Sequence, residues 1–186
     1  MISNKYVNDY RLENVVNKKG RTVTKAVYVG KYYTFAKRSD EVESGKRFLL
    51  SCGIFSLVLF IIALAFYSNK GFSAQYYTLT PFIVCSFPLG YYMVALYDIF
   101  TFKEKCIREK KDHMHDRIAK CSFVCMLLSG ITALGVLIAL VLKLTGIEER
   151  ESRGGDFVFL ACAVMISVSF FIAFSHRDDI SMKEIG

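Results

Sequence analysis

Cys106, His113, His115, Cys121 and Cys125 crowd into a short stretch of the chain, and thiol and imidazole are the groups that bind zinc or serve as nucleophile and base. Their spacing matches none of the compact zinc patterns, and Cys121 and Cys125 stand one helical turn apart, facing a neighbouring helix rather than a shared ion. A Cys106–His113 nucleophile pair would need a third group to orient the imidazole and a site for an oxyanion, and the sequence supplies neither. There is no Gly-rich phosphate loop, no HExxH, no GxSxG and no pair of intramembrane aspartates. The expectation is a protein that is not an enzyme and carries no cofactor and no metal. A redox or metal sensor using Cys106, Cys121 and Cys125 is the chemical reading left over, and joint replacement by serine would disable it.

These residues are positioned by long apolar elements. Residues 48–67, 76–102, 121–142 and 157–175 are four apolar runs, each near the roughly 20 residues that a helix needs to cross about 30 Å of hydrocarbon. No water inside a bilayer can satisfy backbone N–H and C=O groups, so each run must close its hydrogen bonds internally. Barrel strands would alternate in polarity, whereas residues 54–62 are apolar on nearly all sides. The fold class expected is an all-α integral membrane protein with four transmembrane helices. The stretch before the first run is too long and too polar for the start of a signal peptide, so the first helix reads as a permanent anchor.

Lys and Arg set the expected orientation, because they resist transfer across the membrane. Eleven precede the first run; Lys103, Lys105, Arg108, Lys110, Lys111, Arg117 and Lys120 join the second and third, and Arg177 and Lys183 lie in the tail. The other side holds Lys70, Lys143, Arg150 and Arg153. Both termini are therefore expected in the cytoplasm, in a protein integral to the cell membrane. The net charge of +7 lies where insertion alone would put it, which argues against a nucleic-acid partner and for contact with anionic lipid head groups. The cysteines sit in the spans or on the cytoplasmic side, so no disulfide framework is implied.

Three regions follow: residues 1–47 as a basic, β-rich cytoplasmic segment, 48–175 as the four-helix bundle, and 176–186 as a short tail. In the first, residues 10–16 and 21–29 flank Asn17-Lys18-Lys19-Gly20 and read as a β-hairpin. Gly30 permits a second turn into residues 31–35, giving a possible three-stranded meander, with 36–45 as a polar linker. So small a sheet is marginal alone and must dock, on the bundle's own helix ends or on a partner subunit that adds a strand or packs on Tyr28, Tyr32, Tyr33 and Phe35. Residues 103–120 read as a salt-bridged helical hairpin turning near 112–115, and 145–156 as a solvated acidic loop.

Inside the bundle, Cys121, Cys125, Ser129 and Ala133 form a stripe of small residues, matched by Ala163 and Ser167, which lets helices approach closely. That stripe serves the bundle itself or an oligomer; internal use is favoured. Pro81 and Pro88 should kink the second helix, and Pro88, Tyr91, Tyr92 and Asp98 are the residues that could line a path, the tyrosine hydroxyls bonding to carbonyls freed by Pro88. Asp98, near a helix end, is the acid within the runs, so a buried proton relay is disfavoured. Two functions remain. The preferred one is a non-catalytic membrane subunit, accessory or immunity-type protein that binds a protein partner through residues 1–47; the alternative is a small oligomeric transporter or channel lined by the kinked second helix.

Overall fold

A computed structural model describes residues 4–16, 22–67, 71–102, 105–145 and 154–185. The turn expected at 17–20, Glu104 and the acids Glu148, Glu149 and Glu151 lie outside those residues. The four apolar runs fold as α1 (Ser39–Ala65), α2 (Tyr76–Val84) with α3 (Ser86–Phe100), α4 (Arg108–Leu144) and α5 (Gly154–Ser175). Counting α2 and α3 as one, the described residues hold four helices long and apolar enough to cross a membrane. They pack in a ring, α1 on α5, α5 on α4, and α4 on α2 and α3, with α3 closing back onto α1.

The second run breaks at Cys85, midway between Pro81 and Pro88. Each proline lacks an N–H and crowds the turn before it, so the helical ladder loses a bond at each and is interrupted between them. Local bonds carry the chain across: Cys85 N–H donates to Pro81 O at 3.0 Å, and Leu89 N–H donates to Cys85 O at 3.1 Å.

Beyond the break, Tyr92 is fully buried, and its hydroxyl donates to Leu49 O of α1 at 3.0 Å. The acceptor is thus on a neighbouring helix, not among the carbonyls near Pro88. Its ring meets Phe170 of α5 edge-on, with centroids 5.2 Å apart, so one side chain ties three helices together. Gly53 makes room for it: a Cβ there would lie 3.0 Å from both Met93 Sδ and Tyr92 Cε1. Elsewhere the ring of helices is stitched by small hydroxyls, Ser56 Oγ to Ser169 Oγ at 3.1 Å and Ser167 Oγ to Met126 O at 3.0 Å.

Among the described residues five strands accompany the helices: β1 (Tyr10–Val16), β2 (Thr22–Tyr28), β3 (Tyr32–Phe35), β4 (Cys106–Ile107) and β5 (Met182–Glu184). β1 and β2 form the expected antiparallel hairpin, Tyr10 opposite Tyr28. The meander does not form. β3 instead sits at the centre of a second sheet, between β4 and β5, so it links the N-terminal segment, the connection between α3 and α4, and the tail.

Other boundaries also shift. Helix α1 begins at Ser39, so most of the supposed linker is helical: Asp40 and Glu41 suit a helix start, and Val42 and Gly45 are buried, Gly45 against Asp179. The turn expected near 112–115 does not form there: Cys106 and Ile107 pair in the sheet, and α4 runs unbroken from Arg108 through those residues.

Loss of the Tyr92 hydroxyl in Tyr92→Phe should lower stability by about 1 kcal/mol, the net worth of one hydrogen bond. Gly53→Val should cost more, about 1–3 kcal/mol, because α1 and α3 must separate. Thermal unfolding in detergent, followed by size-exclusion chromatography, checks this order.

Candidate functional site

Polar surface gathers at the end of the bundle that carries both sheets. Its centre is β3, a strand with alternating side chains in which each aromatic ring has a different neighbour. Lys111 of α4 lies over the Tyr33 ring, 4.3 Å from its centroid. Phe35 meets Phe102 edge-on at 5.1 Å and receives Lys46 of α1 at 4.4 Å on its ring. The tail strand is fastened by Lys31 to Glu184 at 2.7 Å and by Ile185 N–H donating to Tyr32 O at 2.9 Å.

The hairpin is tied down at its base. Tyr28 hydroxyl donates to Lys31 O at 2.7 Å and accepts Arg108 N–H at 3.1 Å, and its ring stands edge-on to Tyr10 and Tyr32, each at 5.3 Å. Tyr10 hydroxyl reaches Glu109 at 3.3 Å. The preceding turn docks on α4 through Asp112, which accepts Lys5 Nζ at 2.7 Å and the buried Tyr6 hydroxyl at 3.1 Å. Beyond this base, residues 11–14, 16 and 22–26 are exposed, including Leu12 at 73%.

Tyr28, Tyr32, Tyr33 and Phe35 are thus brought together, and their rings are engaged by α1, α4 and one another. The other candidate groups do not converge. Tyr91 points outward, 63% exposed, while Tyr92 is buried, and Asp98 pairs with Arg117 of α4 at 3.2 Å near the sheet end. An apolar groove of about 490 Å³ runs between α1 and α5, floored by Cys52 and Ser169, and Pro88, Tyr91, Tyr92 and Asp98 do not line it. In the small-residue stripe, Cys125, Ser129, Ala133 and Ala163 are buried, while Cys121 and Ser167 are half-buried.

Cys106 Sγ lies 3.6 Å from Met182 Sδ, His113 faces Glu109, and Cys125 points away from both, within the bundle. Among the described residues no three His, Cys, Asp or Glu are placed to hold a metal ion.

One residue was misjudged from sequence. Asp156, assigned to a solvated loop, is fully buried at the start of α5, where it accepts Ser73 N–H at 3.0 Å and so pins the turn between α1 and α2. Its position just after Gly154-Gly155 and before an apolar run, the first turn of a helix, is the signal that could have found it.

Comparison of the chain with protein-family models, curated proteins and solved structures finds no match. The reading therefore rests on these residues alone.

The tail contact titrates. Hydrogen bonds from Lys37 first, and then His176, hold the Asp179 carboxyl below the usual carboxylate range, and the same contact raises the Lys37 ammonium. A depressed carboxyl stabilises the fold above its ordinary value near 3.8 and loses that contribution as pH falls through the depressed value. Amide exchange over β5, corrected for intrinsic rate, should therefore quicken below about pH 4 in the native chain. In Asp179→Asn that extra pH dependence should be absent.

Proposed function

We propose that this chain is a non-catalytic, multi-pass membrane protein that acts by binding a protein, with its N-terminal segment as the contact surface. One observation carries the reading. Among the described residues the side-chain ties of the β1–β2 hairpin to the rest of the chain lie at its base, and beyond it Leu12, Val16 and Val23 are exposed. Among the described residues each of its strands has one neighbour, which leaves one edge of each strand open.

A two-stranded ribbon is marginal in water, and an open edge flanked by exposed apolar residues is a template for a further strand. Strand addition is a recurrent mode of protein recognition, with main-chain hydrogen bonds giving affinity and side chains giving specificity. The contact surface therefore moves outward from Tyr28, Tyr32, Tyr33 and Phe35, whose rings already serve the base, to the hairpin beyond them. In this reading the four helices lie in the cell membrane and both termini are cytoplasmic, as the concentration of Lys and Arg at the sheet end favours. Lipid surrounds the helices, and nucleic acid is not a partner.

The transporter reading has less to stand on, because Tyr91 is exposed on the outside, Tyr92 is buried in the core and Asp98 pairs with Arg117, so the three do not line one path.

Chemical crosslinking of the full chain in native membranes, followed by affinity purification in mild detergent, tests the proposal. The wild type should hold a stoichiometric protein, either a different chain or an untagged second copy. Leu12→Asp with Val23→Asp should reduce it at least tenfold while the chain stays folded, and Tyr91→Ala should not. A wild type that holds no protein, or a hairpin variant that holds as much, contradicts the proposal.

A further inference from the structure

We infer that the protein bound by the hairpin is a second copy of this chain, added antiparallel along the open edge of β1 about a two-fold axis at Leu12. The inference rests on the protein-binding reading above and names its partner. It starts from hydrogen-bond parity. Val29 N–H donates to Asp9 O at 2.9 Å, so the pair Asp9–Val29 is hydrogen-bonded, and in an antiparallel ladder such pairs alternate with unbonded ones. With Tyr10 opposite Tyr28 and Leu12 opposite Ala26, the odd-numbered Arg11 and Glu13 bond across to β2. The main-chain groups of Leu12 and Asn14 then turn outward, to the open edge.

A two-fold contact must be self-complementary, with each residue i meeting j while j meets i. Centred on Leu12, the pairing sets Leu12 against its own copy as a hydrogen-bonded pair. Tyr10 then meets Asn14 of the second chain, also through outward-turned groups. Arg11 meets Glu13 of the second chain, and Glu13 meets its Arg11, both in the closer, unbonded type of pair where cross-strand charges interact best. The exposed Leu12 side chains meet on one face and the two ion pairs form on the other. A centre at Arg11 or Glu13 would oppose like charges. The open edge of β2 offers no equivalent, since Lys25 is its sole charged residue and finds no acid opposite in any two-fold register.

Five paired residues a side fall well short of the roughly 1,200 Å² of a standard stable interface, so the contact is weak between free molecules. Two chains confined to one membrane meet at a raised effective concentration, and the pairing belongs there.

The experiment is oxidative crosslinking of the full chain in native membranes. Hydrogen-bonded antiparallel partners have Cα atoms about 5.5 Å apart, within the range a disulfide spans. Leu12→Cys should therefore give a reducible dimer, at least fivefold above both the wild type and Thr24→Cys, an exposed position on the β2 edge. A chain carrying Leu12→Cys with Arg11→Glu should crosslink poorly to itself, as should one with Leu12→Cys and Glu13→Arg. Mixed together they should crosslink several-fold better than either alone, which no effect confined to one hairpin would produce.

Equal crosslinking at positions 12 and 24, or no gain on mixing, overturns the inference. If the hairpin variant of the preceding subsection still loses a different companion protein, the binding reading stands and its partner is another chain. If no companion exists either, both readings fall.

Discussion

The outside of the bundle is as apolar as its inside, and that constraint orders the rest. Ile54, Phe55, Val58 and Ile61 on α1, Leu134, Ile138 and Val141 on α4, and Val168 and Phe171 on α5 are all exposed large hydrophobic residues. Contiguous apolar surface on that scale is uncovered on no ordinary water-soluble domain and suits a bilayer. In the proposed membrane setting lipid is the outer solvent, the helices gain little from burying apolar side chains against one another, and close approach and buried hydrogen bonds must hold them. Tyr92 reaching Leu49 O, Ser56 meeting Ser169, and Gly53 admitting the α3 side chains are those contacts.

The same constraint confines polar recognition to the ends. At one end the described turn around Ser73 is pinned by the buried Asp156. The other carries two sheets, and there a four-residue strand does disproportionate work: β3 pairs with segments from the α3–α4 connection and from the tail, so three regions remote in sequence become one layer. That layer is rigidified by Lys46 on Phe35, Lys111 on Tyr33 and Phe102 against Phe35, which leaves the hairpin as the element whose surface is unspent.

What was legible in sequence is what local rules determine. The helices follow from run length, and the β1–β2 pairing from β-branched and aromatic residues on either side of a Gly-containing turn. What was not legible depends on partners far along the chain. Nothing near Tyr32 announces that its strand will pair with Ile107 or that Glu184 will stand opposite Tyr33, so a meander was the local solution. The acceptor of Tyr92 was sought within its own helix because proline leaves carbonyls there, whereas the geometry of the ring points it across to α1. The neighbours of the β3 aromatic residues, Lys46, Lys111 and Phe102, come from segments remote in sequence, and the exposed Leu12 and Val16 carried no signal stronger than ordinary strand composition.

The most direct measurement is residue-resolved amide exchange on β1, in native membranes and again on the purified, diluted chain. The amides of Arg11 and Glu13 bond within the hairpin and should be protected in both settings. Those of Leu12 and Asn14 face the open edge, and docking of a protein strand should protect them in the membrane and free them on dilution. If Leu12 and Asn14 exchange equally fast in both, nothing is seated on the hairpin edge and the protein-binding account is wrong.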